Sequence, residues 1–118
     1  MVKKVGPTST VVMCIDGPAP LAKQVQQRER RYKSAAESTG ECVFDSNAIT
    51  PGTVFMDQLS RFIDGWLRGK MAHDPEWQKL KVIFSNEKAP GEGEHKCLDY
   101  VRKVGNPELR YCIHGMDA

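Results

Sequence analysis

Four acidic residues of this 118-residue chain stand just beyond the ends of short apolar runs. Asp16 follows Val11 to Ile15, Glu92 and Glu94 follow Lys81 to Ser85 after a loop, and Asp117 follows Leu109 to Ile113. Carboxylates gathered at one place repel one another, and a divalent cation between them offsets that cost. Mg²⁺ and Mn²⁺ take hard oxygen ligands, and in phosphodiester hydrolysis they activate water and stabilise the leaving oxygen. Gly93 alone separates Glu92 from Glu94, so the backbone can turn tightly and aim both carboxylates inward. Both also gain from the N-terminal end of the helix they open. A single acidic residue is more simply a solvated charge or a helix cap, and Asp57, Asp64, Asp74, Glu76 and Asp99 are read that way. Repetition at three strand ends sets Asp16, Glu92, Glu94 and Asp117 apart.

A second group is basic. Lys23, Gln27, Arg30 and Arg31 are spaced i, i+4, i+7, i+8, which puts them on one helical face. Arginine supplies planar paired donors suited to phosphate, and lysine a point charge. Such a face is ordinarily just solvated; a position one turn or so after Asp16 makes this one an anion pocket beside a cation site. The two groups together suit a phosphodiester substrate with a charged terminus. His95, next to Glu94, is read as orienting its loop or pairing with a carboxylate, and His73 and His114 as structural. Trp66 and Trp77 fit the core and its edge, with base stacking open to Trp77 if exposed.

The elements that position these residues follow from pattern. Val11–Ile15 is a β-branched apolar run ended by Asp16-Gly17-Pro18, as expected of a strand buried on both faces. Helix formers run from 20 to 37, with Leu21, Val25, Tyr32 and Ala36 expected to pack. A loop over 42–52 precedes a second helix from Thr53 to Ala72, whose Phe55, Leu59, Phe62, Ile63, Trp66, Leu67 and Met71 keep the helical period. Asp74-Pro75 breaks the chain, Lys81–Ser85 is a second strand, and 93–104 a third helix with Cys97, Leu98, Val101 and Val104 inward. Leu109–Ile113 completes the set as a third strand. This order predicts an α/β fold, a partial parallel sheet of about three strands with right-handed crossover helices. Ligands of such sheets bind beyond the carboxyl ends of the strands, where all four acids fall. The last strand runs almost to the final residue, where an α/β protein normally enters another helix, so the chain reads as cut.

Composition narrows the class. Hydrophobic residues make up 40% and charged residues 27%, a globular balance, and 17 Lys and Arg against 15 Asp and Glu leave a net charge of +2. Charge placement, not total charge, therefore carries any argument about partners. No apolar run reaches the roughly 20 residues that span a bilayer, so no membrane is expected. Cys14, Cys42, Cys97 and Cys112 form no C-x-x-C pair, which disfavours zinc and predicts reduced thiols in an intracellular protein, cytoplasmic or nuclear.

Several stretches resemble the XRN-type 5′→3′ exoribonucleases. Ile15-Asp16-Gly17-Pro18-Ala19-Pro20, Ala22-Lys23 and Gln26-Gln27-Arg28-Glu29-Arg30-Arg31-Tyr32 are similar to the family's I-D-G-x-A-P-x-A-K-x-x-Q-Q-R-x-R-R-F. Phe44 to Thr53 with Phe55-Met56 resembles a second block, to which no chemistry is assigned. Pro90-Gly91-Glu92-Gly93-Glu94-His95-Lys96 resembles a third, and Gly115-Met116-Asp117-Ala118 the start of a fourth, G-x-D-A-D. The resemblance implies a partial XRN N-terminal nuclease domain over 1–118, with a PIN/FEN-like core. It implies removal of mononucleotides from single-stranded RNA bearing a 5′-monophosphate, with Mg²⁺ or Mn²⁺. By matching positions, Asp16, Glu92, Glu94 and Asp117 become the catalytic, metal-site acids, and Lys23, Gln27, Arg30 and Arg31 the 5′-phosphate pocket.

Departures from the family pattern are expected to matter. A first strand with its acid is missing before Ile15, the second aspartate of D-A-D after Ala118, and the link from the basic helix to Phe44 is short. Leu21, Pro18 and Val25 replace residues that are commonly basic, small aliphatic and polar. The chain is thus expected to be a fragment or divergent member with an incomplete site and an inefficient nuclease on its own; the missing remainder of the nuclease domain is a candidate partner, and an inactive module binding RNA 5′ ends through the basic helix is the alternative. A flap-endonuclease-type enzyme fits the Gln-Gln-Arg and Pro-Gly-Glu-Gly-Glu blocks less well. An aspartyl phosphatase would need an acid where Pro18 stands.

Overall fold

A computed structural model of the chain describes residues 2–37 and 44–115. In chain order the elements are α1 (Val2–Val5), β1 (Thr10–Cys14), α2 (Leu21–Glu37), a 3₁₀ turn (Ser46–Ala48), α3 (Val54–His73), α4 (Pro75–Gln78), β2 (Lys81–Ser85) and α5 (Gly93–Val104). β1 and β2 pair in parallel, with Thr10 opposite Lys81 and Cys14 opposite Ser85. Two further bonds extend the pairing: Lys81 N–H donates to Ser9 O at 2.8 Å and Ile15 N–H to Ser85 O at 2.9 Å. The predicted α/β class and the parallel pairing are therefore present, and both strands point their carboxyl ends at Asp16 and at the loop leading to Glu92.

α3 is the best-built helix. Thr53 caps it, its Oγ1 accepting from Met56 N–H and donating to Ala48 O at 2.6 Å. Asp74 closes it and caps α4 in turn, with Pro75 at the first position of the new helix. α3 buries Met56, Ser60 and Leu67. Trp77 and Leu80 of the following turn are buried too, and the Trp77 ring meets Trp66 edge-on at 5.5 Å. The sequence reading had the tryptophans the other way about: Trp77 is core, whereas Trp66 is 44% exposed. α3's apolar stripe is wider than its contact, so Phe62 and Met71 also stay outside.

Two expectations fail. Among the described residues the sheet has two strands, not about three. Asn106-Pro107 makes a turn in which Leu109 N–H bonds Asn106 O and Glu108 N–H bonds Asn106 Oδ1. The Tyr111 hydroxyl then folds back on Asn106, accepting from its N–H at 2.6 Å and donating to its carbonyl at 3.0 Å. Residues 109–113 are thus turned onto their own loop, and with Thr10–Val12 they line a groove of about 570 Å³ instead of joining the sheet. The second failure is α2, whose Leu21, Val25 and Tyr32 were expected to pack. They are 79%, 56% and 72% exposed, because α2 projects from the body instead of lying on the sheet. The total exposed surface of 9420 Å² compares with about 6,400 Å² for a compact monomer of this mass.

Candidate active site

The site forms where α5 begins against the end of β1. Asp16 Oδ1 accepts the Gly93 N–H at 2.6 Å, a short charge-assisted bond from a first-turn amide. A Cβ at Gly93 would stand 3.0 Å from Cys14 O and 3.2 Å from Asp16 Oδ1. The glycine between the two glutamates thus allows the helix to seat directly on the strand end. Gly17 is tighter still: its N–H donates to Gly91 O at 2.9 Å, and Gly91 N–H returns a bond to Pro18 O at 3.0 Å. This pair of bonds ties the turn after β1 to the loop after β2.

Lys96 completes the junction. Its Nζ donates to Ile15 O at 2.8 Å and to Asn86 O at 2.9 Å, clasping the carboxyl ends of both strands. Loss of solvent around the ammonium lowers its pKa, while Cys14, Asp16 and Glu87 oppose that shift. The β2 loop is also fixed to α3. Buried Glu87 accepts from the buried Ser60 hydroxyl, and Lys88 pairs with Asp57 at 2.8 Å. Lys88 holds the Asp57 carboxyl below its usual range.

Three of the predicted acids, Asp16, Glu92 and Glu94, lie at or beside the start of α5, each with a different neighbour. Asp16 faces Gly93. Glu92 pairs with Lys23, Nζ to Oε1 at 2.6 Å, and stands 3.5 Å from His95 Nδ1 on its other oxygen. The Lys23 ammonium holds the Glu92 carboxyl below the ordinary glutamate range. Glu94 is exposed, and its Oε1 lies 2.7 Å from where a Cβ of Gly115 would be. Gly115 thus lies against this carboxylate; Asp117 lies outside the described residues, as does Cys42. Hard carboxylate oxygens at one sheet edge suit a divalent ion by chemistry. Among the described residues, however, no three acid, histidine or cysteine side chains converge on one point.

Of the basic face, Lys23 reaches this edge. Arg31 is half-buried and turns to Thr50 Oγ1 at 3.4 Å, Gln27 is half-buried, and Arg30 is exposed. Cys14, Cys97 and Cys112 are free thiols, and burial, then the Cys97 thiol beside it, pushes Cys14 up to about 12.

Comparison with known proteins identifies the chain. The profile of the family described as XRN 5′-3′ exonuclease N-terminus matches residues 1–42 and 36–118. The chain belongs to this family. It is 42% identical over 134 residues to 5′-3′ exoribonuclease 1 of Schizosaccharomyces pombe, covering 98% of this chain and 10% of the relative. It is 40% identical over 142 residues to 5′-3′ exoribonuclease 2 of Saccharomyces cerevisiae, covering 95% and 14%. The XRN chain therefore spans about a tenth to a seventh of the length of these relatives. The two matched stretches overlap at 36–42, where the link after α2 reads as short. Among the described residues no helix is long and apolar enough to cross a membrane.

Two XRN residues at this junction escape a reading of sequence pattern. Lys96 lies inside the matching block, and its one warning was a cation in the first turn of a helix, the end that favours anions. Glu87 gave no warning, since a charged residue in a loop after a strand is ordinarily solvated.

Proposed function

We propose that this XRN chain serves 5′→3′ exonucleolytic hydrolysis of single-stranded RNA carrying a 5′-monophosphate, releasing mononucleotides. In this reading Asp16, Glu92, Glu94 and Asp117 hold Mg²⁺ or Mn²⁺, which when bound supplies an activated water and charge stabilisation at the leaving oxygen. Lys23, Gln27, Arg30 and Arg31 receive the terminal phosphate, Arg30 and Arg31 through paired N–H donors and Lys23 as a mobile charge. The remainder of a nuclease domain is its partner, and an intracellular compartment its setting. One observation supports the reading most. Lys23, from the basic face of α2, meets Glu92 at the edge where Asp16 and Glu94 also lie, so the two groups found by spacing adjoin.

The test uses end-labelled single-stranded RNA with either a 5′-monophosphate or a 5′-hydroxyl, incubated with the chain in Mn²⁺ or EDTA. Metal-dependent loss of the monophosphate RNA, abolished by Asp16→Ala or Glu92→Ala, would support the reading and show that the chain assembles a working site without its partner. Selective binding without cleavage, weakened by Arg30→Ala, would favour the end-binding module. Equal treatment of both RNAs in binding and cleavage would refute the phosphate pocket.

A further inference from the structure

We infer that Cys97 and Cys14 form an oxidation-sensitive pair, closed to a disulfide by hydrogen peroxide that reaches Cys97 through the groove beside β1. The pair follows from how α5 lies on the strand. Val12 and Cys14 share one face of β1, and Gly93 and Cys97, one turn apart, share one face of α5. Gly93 sits so close to the strand that a Cβ there would stand 3.0 Å from Cys14 O. Beside it, Lys96 Nζ donates to Ile15 O at 2.8 Å. The next turn of the same face sets the Cys97 thiol against the thiol of Cys14. Both are half-buried and free.

The two thiols differ in access. Cys97 lines the groove of about 570 Å³ together with Val12, Tyr100, Val101 and Cys112, whereas Cys14 is not among its walls. Peroxide therefore meets Cys97 first. Attack of the Cys97 sulfur on the O–O bond gives a sulfenic acid and one water. The Cys14 sulfur then attacks the sulfenic sulfur: the S–S bond forms, the S–O bond breaks, and the Cys14 proton leaves with the hydroxide as a second water. The two thiols give up two hydrogens, and one peroxide is reduced to two waters. The bridge joins β1 to α5 in the arrangement that Gly93 and Lys96 already hold, so it locks the strand-end junction without remodelling it. It also closes covalently the long stretch of chain between the two elements, which restricts the unfolded state. Oxidation is thus expected to make the fold harder to unfold, and a thiol reductant to reverse the effect.

The experiment treats the wild-type chain, Cys112→Ala, Cys14→Ala and Cys97→Ala with hydrogen peroxide in EDTA at neutral pH. Remaining thiols are then blocked with iodoacetamide and the peptides mapped by mass without reduction. Wild type and Cys112→Ala are expected to yield a linked Cys14–Cys97 peptide, two hydrogens lighter than its separate parts and lost on adding dithiothreitol. Their urea midpoint should rise by roughly 1–4 M on oxidation, while that of Cys97→Ala stays unchanged. Cys14→Ala lacks the second thiol and should accumulate a sulfenic acid at Cys97 that dimedone traps. Cys112→Ala keeps both sulfurs in place, so it decides the pairing even where a core variant folds poorly. Cys97 joined to Cys112 or to Cys42, or Cys14 and Cys97 both still open to iodoacetamide in peroxide-treated Cys112→Ala, overturns the pairing. A folded Cys14→Ala chain whose Cys97 takes no dimedone overturns the order of steps. A linked peptide with an unchanged urea midpoint overturns the locking role.

Discussion

Substitution of Gly17 by alanine should disable the site through the backbone, without removing any functional group. A Cβ at this position would lie 1.8 Å from Ala89 O, where real Cβ atoms stay beyond 3.0 Å, and 3.0 Å from Glu87 O. Both obstacles are main chain, so the turn after β1 and the loop after β2 must separate by more than about 1 Å, a deformation that packed interiors resist. That separation breaks the Gly17 N–H bond to Gly91 O and the Gly91 N–H bond to Pro18 O. At about 0.5–1.5 kcal/mol for each bond, the loss is about 1–3 kcal/mol. With a denaturant slope of about 1–1.5 kcal/mol/M for a domain of this size, the urea midpoint falls by about 0.7–3 M. The same movement carries Asp16 away from Gly93. Misplacement of about 1 Å costs on the order of 100-fold in rate, so under the proposed function Mn²⁺-dependent cleavage of monophosphate RNA should drop by at least that factor. An unchanged urea midpoint at an unchanged slope, or full cleavage activity, would refute the account of the turn–loop clasp.

Gly65 is the opposite case: inside α3, with nothing within 4 Å of an added Cβ, Gly65→Ala should stabilise by about 0.5–1 kcal/mol and raise the melting temperature; a decrease would mean that α3 packs differently. Lys96→Met strips Ile15 O and Asn86 O of their donor and should cost about 1.5–3 kcal/mol, read from urea unfolding; a neutral result would remove Lys96 from the strand-end junction. Cys14, pushed from 9.0 in the unfolded chain to about 12 in the fold, contributes stability complete below pH 9 and lost as pH rises toward 12. Cys14→Ala should therefore flatten the alkaline fall in stability over that range, and an unaltered slope would count against the burial of the thiol. At pH 8 a thiol reagent should modify exposed Cys112 well before Cys14, with the order read by peptide mass mapping.

Local pattern located most of the elements and picked out the two candidate groups of side chains. Lys81–Ser85 and the helix over 93–104 have the bounds read from sequence, and the first strand and α3 differ by a residue. These segments are set by short-range signals: β-branched runs, the Thr53 cap, the Asp74-Pro75 break. What pattern could not give is which apolar face finds a partner. Leu21, Val25 and Tyr32 satisfy a helical stripe as well as Met56 and Leu67 do, yet only the latter two are buried. Leu109–Ile113 has strand composition, and the Asn106–Tyr111 hydrogen bonds bend it elsewhere. In the candidate site, spacing foretold that Lys23 shares a face with Arg30. It could not foretell that Lys23 reaches Glu92, because that contact depends on the angle at which α2 leaves the sheet.

The register of the strand pair also bears on how the protein is made. Thr10 finds Lys81, about seventy residues further along, and closing so long a loop is a late, entropically costly event in folding. At about 5–20 residues per second of synthesis, β1 leaves the ribosome on the order of 4–14 seconds before β2. For that interval Val11, Val12 and Met13 have no sheet to join. Nascent chains in which Leu80 but not Ser85 has left the ribosome should therefore still have β1 uncovered.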